Sequence, residues 1–346
     1  MSLAGNQGHR HSVRPMSETM RAVGYRASLP ITDPSSLLDL EVPVPAPGDH
    51  DLQVRVHAVS VNPVDVKVRA GSDPGGEPRI LGFDAAGVVE NVGASVTLFQ
   101  PGDEVWYAGS IARPGTNSEL HLVDERIVGR KPQSLDFAAA AALPLTALTA
   151  WESLFDRLRL TSSSRGRLLV LGAAGGVGAI LVQLARQLTD LEVIGTASRP
   201  ESTQYVLDRG AHSVVDHHGD LPAQLPGGVD YVFSPHSAGM IDTFAQIIRP
   251  YGAVVAIDEP QGLELTPLKS KSIAWHWELM FTRPLHDPGS TAQHEILTQV
   301  AALVDKGTVQ STLTTRINGI NAVNLRAAHA AQEAGTAVGK TVLAGF

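Results

Sequence analysis

The sequence predicts an α/β protein: a doubly wound parallel sheet beside a smaller, irregular β-barrel domain. Three observations predict it. An apolar run at 168–171 ends in the turn Gly172-Ala173-Ala174-Gly175-Gly176-Val177-Gly178, and a helical pattern starts at once. From there strand-like and helix-like segments alternate, the signature of a parallel sheet with helices on its faces. Before about residue 136, short alternating runs separated by Gly and Pro read instead as a small β-rich domain.

The totals bound the function. The chain has 346 residues, enough for two domains, with 43 % hydrophobic and 18 % charged residues, as in folded globular proteins. A net charge of −8 and the lack of a basic tract argue against nucleic acid as a partner. There is no cysteine, which excludes disulfides, thiolate zinc sites, iron–sulfur clusters and cysteine nucleophiles and fits a cytoplasmic location. No uninterrupted apolar run reaches membrane-spanning length, so no membrane partner is expected; the longest candidate, 137–151, is broken by Pro144 and reads as buried helix. Residues 1–15 are polar, lack the apolar centre of a secretion signal, and read as a disordered extension before a second possible start at Met16.

Residues 16–140 and 276–346 are assigned to the β-rich domain and 141–275 to the sheet domain. The stretch 51–61 alternates as a half-buried strand does, after the turn signals Pro43, Pro45, Pro47 and Gly48. A glycine-punctuated strand region covers 80–93, and Pro101-Gly102 turns into another at 103–106. Segments 138–143 and 147–158 are helical in composition. Strand 168–171 precedes helix 177–188, and strand 191–195 precedes helix 201–209. Short strands recur at 213–215, 231–233 and 253–257, with helix 240–248 between the last two. Helix 177–188 places Ile180, Leu181, Leu184, Ala185 and Leu188 on one face, as packing on a sheet requires. The tail holds an amphipathic helix at 293–306, a strand at 312–317, a helix at 322–333 and a closing strand at 339–343. It has no glycine-rich turn of its own and is expected to complete the N-terminal domain.

The turn at 172–178 carries the chemistry. Strand, glycine turn and helix are the context of a dinucleotide fingerprint, so a dinucleotide cofactor is expected. The Gly-x-Gly-x-x-Gly template falls on Ala173, Gly175 and Gly178, with Gly172 available for the tight exit from the strand. Gly175 and Gly176 remove side chains where a pyrophosphate meets the backbone, and Gly178 lets the helix pack closely on the sheet. The free N–H groups of the helix opening at Val177 hold the phosphates. At the end of the second strand, about 20 residues on, an acid would serve the ribose hydroxyls of NAD. Here stand Gly195-Thr196-Ala197-Ser198-Arg199. Ser198 and the Arg199 guanidinium suit the 2′-phosphate of NADP through charge-assisted bonds of about 1.5–3 kcal/mol, roughly ten- to a hundredfold in affinity. Glu201, two residues on, keeps NAD open as the alternative.

The glycine turn also resembles the cofactor loop of the medium-chain dehydrogenase/reductase superfamily. The segment Val61-Asn62-Pro63-Val64-Asp65-Val66-Lys67-Val68-Arg69-Ala70-Gly71 resembles the signature of its quinone oxidoreductase branch. Gly82-Phe83-Asp84-Ala85-Ala86-Gly87-Val88-Val89, Gly93 and Pro101-Gly102-Asp103-Glu104-Val105 match its β-domain pattern, and Ala142-Leu143-Pro144-Leu145-Thr146-Ala147-Leu148-Thr149-Ala150 its domain-junction helices. The likeness runs from about Met20 to Phe346; the stretches 269–283 and 339–346 are typical of the zinc-type alcohol dehydrogenase-like proteins. The resemblance implies a GroES-like catalytic domain, a Rossmann domain and a homodimer. It places Asn62 near the nicotinamide or substrate, Thr146 at the nicotinamide from the junction, and His217 at the adenosine end. The zinc enzymes' first metal-binding cysteine falls near Asn62, and their Gly-His-Glu motif becomes Gly82-Phe83-Asp84. Phenylalanine cannot bind zinc and the cysteine-rich zinc lobe is missing, so no catalytic zinc is expected.

Without zinc a plain alcohol is a poor substrate, whereas a conjugated carbonyl is an easier one. Hydride from NADPH adds to an enone β-carbon or a quinone, and hydrogen-bond donors stabilise the charge that moves to oxygen. The candidate donors are Asn62, whose alternative role is capping the turn before Pro63, and Lys67, whose alternative is a solvated helix face. Asp65 reads as a structural cap or an ion-pair partner of Arg69. The pairs His217-His218 and Trp275-His276-Trp277 read as structural rather than metal-binding. Trp275, Trp277, Leu279, Met280 and Phe281 line an apolar substrate pocket, support dimer contacts or pack in the core. The expected function is a zinc-independent, NADPH-dependent reductase of quinones or α,β-unsaturated carbonyls. An alcohol dehydrogenase and an NADPH-binding sensor or structural protein with little turnover are the alternatives.

Overall fold

The protein is described here from a computed structural model, which describes residues 18–346. The expectation for the extension at 1–15, and Met16, lie outside the described residues.

The glycine turn sits at the centre of a six-stranded, all-parallel sheet. Its strands run in the order Ser213–Val215, Glu192–Thr196, Arg167–Val170, Val229–Ser234, Ile248–Ala256, Ala274–Trp277. The first strand in sequence therefore lies in the middle, and the strand order reverses beside it. That reversal opens a crevice at the carboxyl ends of the strands, where open α/β sheets bind ligands. The edge strand Ala274–Trp277 extends the sheet beyond what alternation alone predicted.

Helix Gly176–Leu188 buries more than one face. Ala179, Val182 and Gln183 are covered along with Ile180, Leu181, Leu184 and Ala185. The sheet takes one side and the junction helix Pro144–Trp151 packs on the other. Gln183 tolerates burial because its amide bonds Ala179 and Gln310 backbone oxygens, and its oxygen accepts the Gln310 N–H at 2.8 Å.

A second sheet builds the other domain. Its order is Leu313–Asn318, Lys340–Ala344, Asp51–Ser60, Ala85–Val92, Glu104–Tyr107, Val128–Arg130, with Leu120–Asp124 also paired to Asp51–Ser60. The two tail strands thus join N-terminal strands in one sheet. A three-stranded sheet, Leu38–Pro43, Thr19–Tyr25, Arg79–Ile80, closes the body. One helical run, Phe137–Arg157, has the length and apolarity to cross a membrane, but 83 % of it is buried inside the fold.

Candidate functional site

The glycine turn leaves strand Arg167–Val170 through Gly172, whose φ of +62° few side chains tolerate. The Gly172 N–H is held by Thr196 Oγ1 at 3.1 Å, tying the turn to the neighbouring strand. A Cβ on Gly178 would stand 2.3 Å from the Gly172 carbonyl oxygen and 2.6 Å from Ala173 Cα, so helix and turn touch through bare backbone. Gly175 is the helix N-cap and offers no capping side chain; its own N–H turns back to Gly172 O at 2.9 Å. The amides of Gly176, Val177 and Gly178 therefore open the helix without an intrahelical acceptor. Donors and dipole face one spot, as anion sites at helix starts require.

Ser198 and Arg199 are exposed just past strand Glu192–Thr196. Arg199 is the N-cap of helix Pro200–Asp208, and its Nη2 donates to Thr336 O at 3.0 Å. His217 is exposed past Ser213–Val215, its ring 4.2 Å from that of His218; partial burial and His218 push its pKa down. Turn, Ser198, Arg199 and His217 all lie beyond the carboxyl ends of adjacent parallel strands.

The tail crosses this turn. The Gly339 N–H donates to Ala174 O at 2.8 Å, and Gly339 bridges Gly175. Lys340 then runs inward over Gly176, where a Cβ would lie 2.8 Å from Lys340 Cδ and 3.2 Å from Thr146 Cγ2. Gly176 thus leaves room for the lysine stem. The ammonium, on a residue 4 % exposed, donates to Val61 O at 3.0 Å, to Asn62 Oδ1 and to Asp84 Oδ2 at 3.2 Å. Burial pushes the Lys340 pKa down, while Asp84 pulls it up.

Asp84, fully buried, is the hub. Its Oδ1 accepts the Leu145 N–H at 2.8 Å; its Oδ2 accepts the Ser60 hydroxyl at 2.6 Å and Asn62 Nδ2 at 2.8 Å, besides Lys340. The knot joins the β-domain, the junction helix and the tail directly behind the start of helix Gly176–Leu188. Asn62, 1 % exposed, has its oxygen on Lys340 and one amide proton on Asp84; Nδ2 also reaches Ser60 O at 3.5 Å, the limit of a hydrogen bond. Thr146 is buried with its hydroxyl on Leu143 O at 3.0 Å and its methyl toward Gly176.

Asp65 caps helix Pro63–Gly71 from inside, accepting the N–H groups of Asn62 at 2.8 Å and Gly82 at 3.1 Å. Burial pushes its carboxyl up to about 7 against those bonds. Of the two roles expected for Asp65, the cap forms and the pairing with Arg69 does not. Arg69 points the other way along the helix, to Leu29 O at 2.5 Å and to the Glu333 carboxylate. Lys67 is exposed on the same helix and meets no hydrogen-bond partner among the described residues, so the structure does not bring it to Asn62. The aromatic cluster divides: Met280 and Phe281 are buried, whereas Trp277 and Leu279 are 51 % and 50 % exposed. Phe281 packs edge-on against Phe83, centroids 5.3 Å apart.

Ser60, Asp84 and Lys340 were not singled out from the sequence as site residues. A signal existed for Lys340: in Lys340–Ala344 it shares the inward face with buried Val342. Asp84 likewise interrupts an otherwise buried apolar stretch.

Residues 48–133 match the alcohol dehydrogenase GroES-like domain family, and residues 209–343 match the zinc-binding dehydrogenase family. A zinc-type alcohol dehydrogenase-like protein of Staphylococcus epidermidis is 38 % identical over 337 residues, covering 94 % of this chain and 99 % of that protein. An NADPH-dependent alkenal/one oxidoreductase of Arabidopsis thaliana chloroplasts is 34 % identical over 229 residues, 64 % of this chain and 58 % of that protein. A crystal structure from Rhizobium etli, described as a zinc-dependent alcohol dehydrogenase protein, superposes with a TM-score of 0.91 at 51 % identity, over 96 % of this chain and 99 % of that one. The chain belongs to the medium-chain dehydrogenase/reductase superfamily, with the zinc-type alcohol dehydrogenase-like proteins among its relatives, and is an oxidoreductase of that type.

Proposed function

We propose that this protein is a zinc-independent, NADPH-dependent reductase of quinones or α,β-unsaturated carbonyls. The observation that carries the reading is the uncapped helix start at 176–178 with Arg199 exposed at the end of the next strand and no acid at that strand end. The residues fit a phosphorylated dinucleotide. The amides of Gly176, Val177 and Gly178 would hold the pyrophosphate, with Gly172 and Gly175 shaping the turn. Ser198 and Arg199 would hold the 2′-phosphate, His217 the adenosine end, and Thr146 would wall the nicotinamide side. When bound, such a cofactor supplies hydride.

The donor set behind the turn does not fit a catalytic zinc. Both Asp84 oxygens are taken, an ammonium stands beside them, and Phe83 is packed on Phe281. Among the described residues no group of three or more His, Cys, Asp or Glu is placed to hold a metal ion. The protein must then stabilise oxygen charge with hydrogen bonds. The weakest bond in the knot, Asn62 Nδ2 to Ser60 O, is the one a substrate oxygen would displace; Lys67, exposed on the following helix, is the second candidate. The alkenal/one reductase activity in the Arabidopsis relative's name supports the enone class. In the same reading the protein is a cytoplasmic homodimer.

A specific observation favours a second reading: every polar group of the knot is already paired, as in a protein that binds the cofactor and turns over little. Loss of NADPH absorbance across a panel of quinones and enones separates the two. Consumption unaffected by chelators is expected. Tight NADPH binding with no acceptor reduced would favour the binder; chelator-sensitive oxidation of simple alcohols would favour an alcohol dehydrogenase.

A further inference from the structure

A second buried ionic cluster stands at the domain junction and has no part in the reading above. The junction helix Pro144–Trp151 runs straight into a π-helical turn, Glu152–Arg157. Such turns are rare and occur frequently at functional sites. This one buries Glu152, whose side chain is 0 % exposed. There it meets Glu278, also 0 % exposed, the residue after edge strand Ala274–Trp277.

Each carboxyl has one satisfied oxygen. Glu152 Oε1 accepts Arg283 Nε at 3.1 Å and Gln293 Nε2 at 3.4 Å; Glu278 Oε2 accepts Arg157 Nε at 2.7 Å. The other oxygens, Glu152 Oε2 and Glu278 Oε1, are buried with no hydrogen-bond partner among the described residues. Glu278 lies close enough for its charge to push the Glu152 carboxyl up. A carboxylate only accepts, so two ionised groups leave these oxygens without a donor, and a proton on one of them supplies it.

The surrounding charges agree. Asp156 shares Arg283 with Glu152, and Gln293 is neutral. Arg159, exposed, lies beyond Arg157, and both push the partly buried His276 toward its neutral form, after burial itself. Three carboxyls thus face two paired guanidiniums, and one proton makes the set neutral.

We infer that Glu152 and Glu278 form a proton-binding site, holding one shared proton through the neutral range, and that this acid pair latches segment 278–283 to the junction helix. The latch is well placed to matter. Glu278 N–H also holds Ala256 O at 2.9 Å, Gln293 holds Met280 O at 2.7 Å, and Phe281 packs on Phe83, the neighbour of Asp84.

Burial, then the charge of Glu278, push the Glu152 carboxyl up to about 8 from 4.5. The folded state therefore keeps a proton that the unfolded chain releases near 4.5. Stability falls as pH rises between those values, by about tenfold in the folding constant per pH unit for one proton. Above about 8 the Glu152 proton is released in the folded state too, and the loss is complete.

Infrared spectroscopy of the full-length protein at neutral pH tests this directly. The wild type is expected to show the carbonyl stretch of a protonated carboxyl, and Glu152→Gln and Glu278→Gln are each expected to lose one carboxyl's share of it. Asp65, pushed up to about 7, contributes a share that persists in both variants. Wild-type stability is also expected to fall about tenfold more steeply per pH unit than that of Glu278→Gln between about pH 5 and 8, because the glutamine donates permanently. Variant spectra matching the wild type, or equal slopes, would overturn the site. If Glu278→Gln does not fold, Glu152→Gln and the loss of the wild-type band above about pH 8 decide the question. None of these readings depends on the cofactor or the substrate.

Discussion

Two buried ionic clusters flank the junction helix, and they are satisfied in opposite ways. In the knot, Asp84 and Lys340 stand as counter-ions, and both carboxylate oxygens and all three ammonium protons have a partner. At the carboxyl pair, two buried oxygens are left without a donor, and a proton completes the set. Both contain buried acids within reach of cations, so residue type does not tell them apart. The difference lies in the count of donors each acid meets. A cluster balanced by fixed charge resists pH, whereas one balanced by a proton reports it.

The largest expected effect comes from breaking the balance of the knot. Asp84→Asn leaves the Lys340 ammonium buried without its counter-ion and should cost about 3–5 kcal/mol in denaturant unfolding. Adding Lys340→Met to that variant should recover part of the loss. If the double variant is less stable than Asp84→Asn alone, the ammonium is not balanced by Asp84. Glu278→Gln makes the contrast: above about pH 8 it should match or exceed the wild type, since it removes a charge the cluster cannot pair.

Arg199 sharpens the comparison from the solvent side, as a cation with spare donors. Arg199→Ala should raise the KM for NADPH roughly ten- to a hundredfold, about 1.5–3 kcal/mol, and leave that for NADH little changed. Equal changes for the two coenzymes would remove the 2′-phosphate assignment. The smallest effect is expected at Gly176→Ala. The new methyl meets the flexible Lys340 stem rather than backbone, so unfolding should move by about 1 kcal/mol or less. A larger loss would mean that the stem is locked by the knot.

Much of this protein was legible from local signals. Strand, glycine turn and helix at 167–188 follow from an apolar run, the φ freedom of Gly172 and an apolar face. These are properties of neighbours in sequence, so the chain itself determined them, together with the uncapped helix start and the missing acid near Arg199. Gly178 was predicted for close packing and meets bare backbone as expected.

Only the tertiary structure decided where the charges go. Lys340 lies 256 residues from Asp84, and Glu278 lies opposite Arg157 across 121 positions. Arg69 turned to Glu333 instead of Asp65 because Asp65 is consumed by the cap amide of Asn62 and the distant amide of Gly82. A buried ion's partner is set by which strand and helix close over it, and its protonation by how many donors remain after they do. Neither quantity exists until the domains have packed.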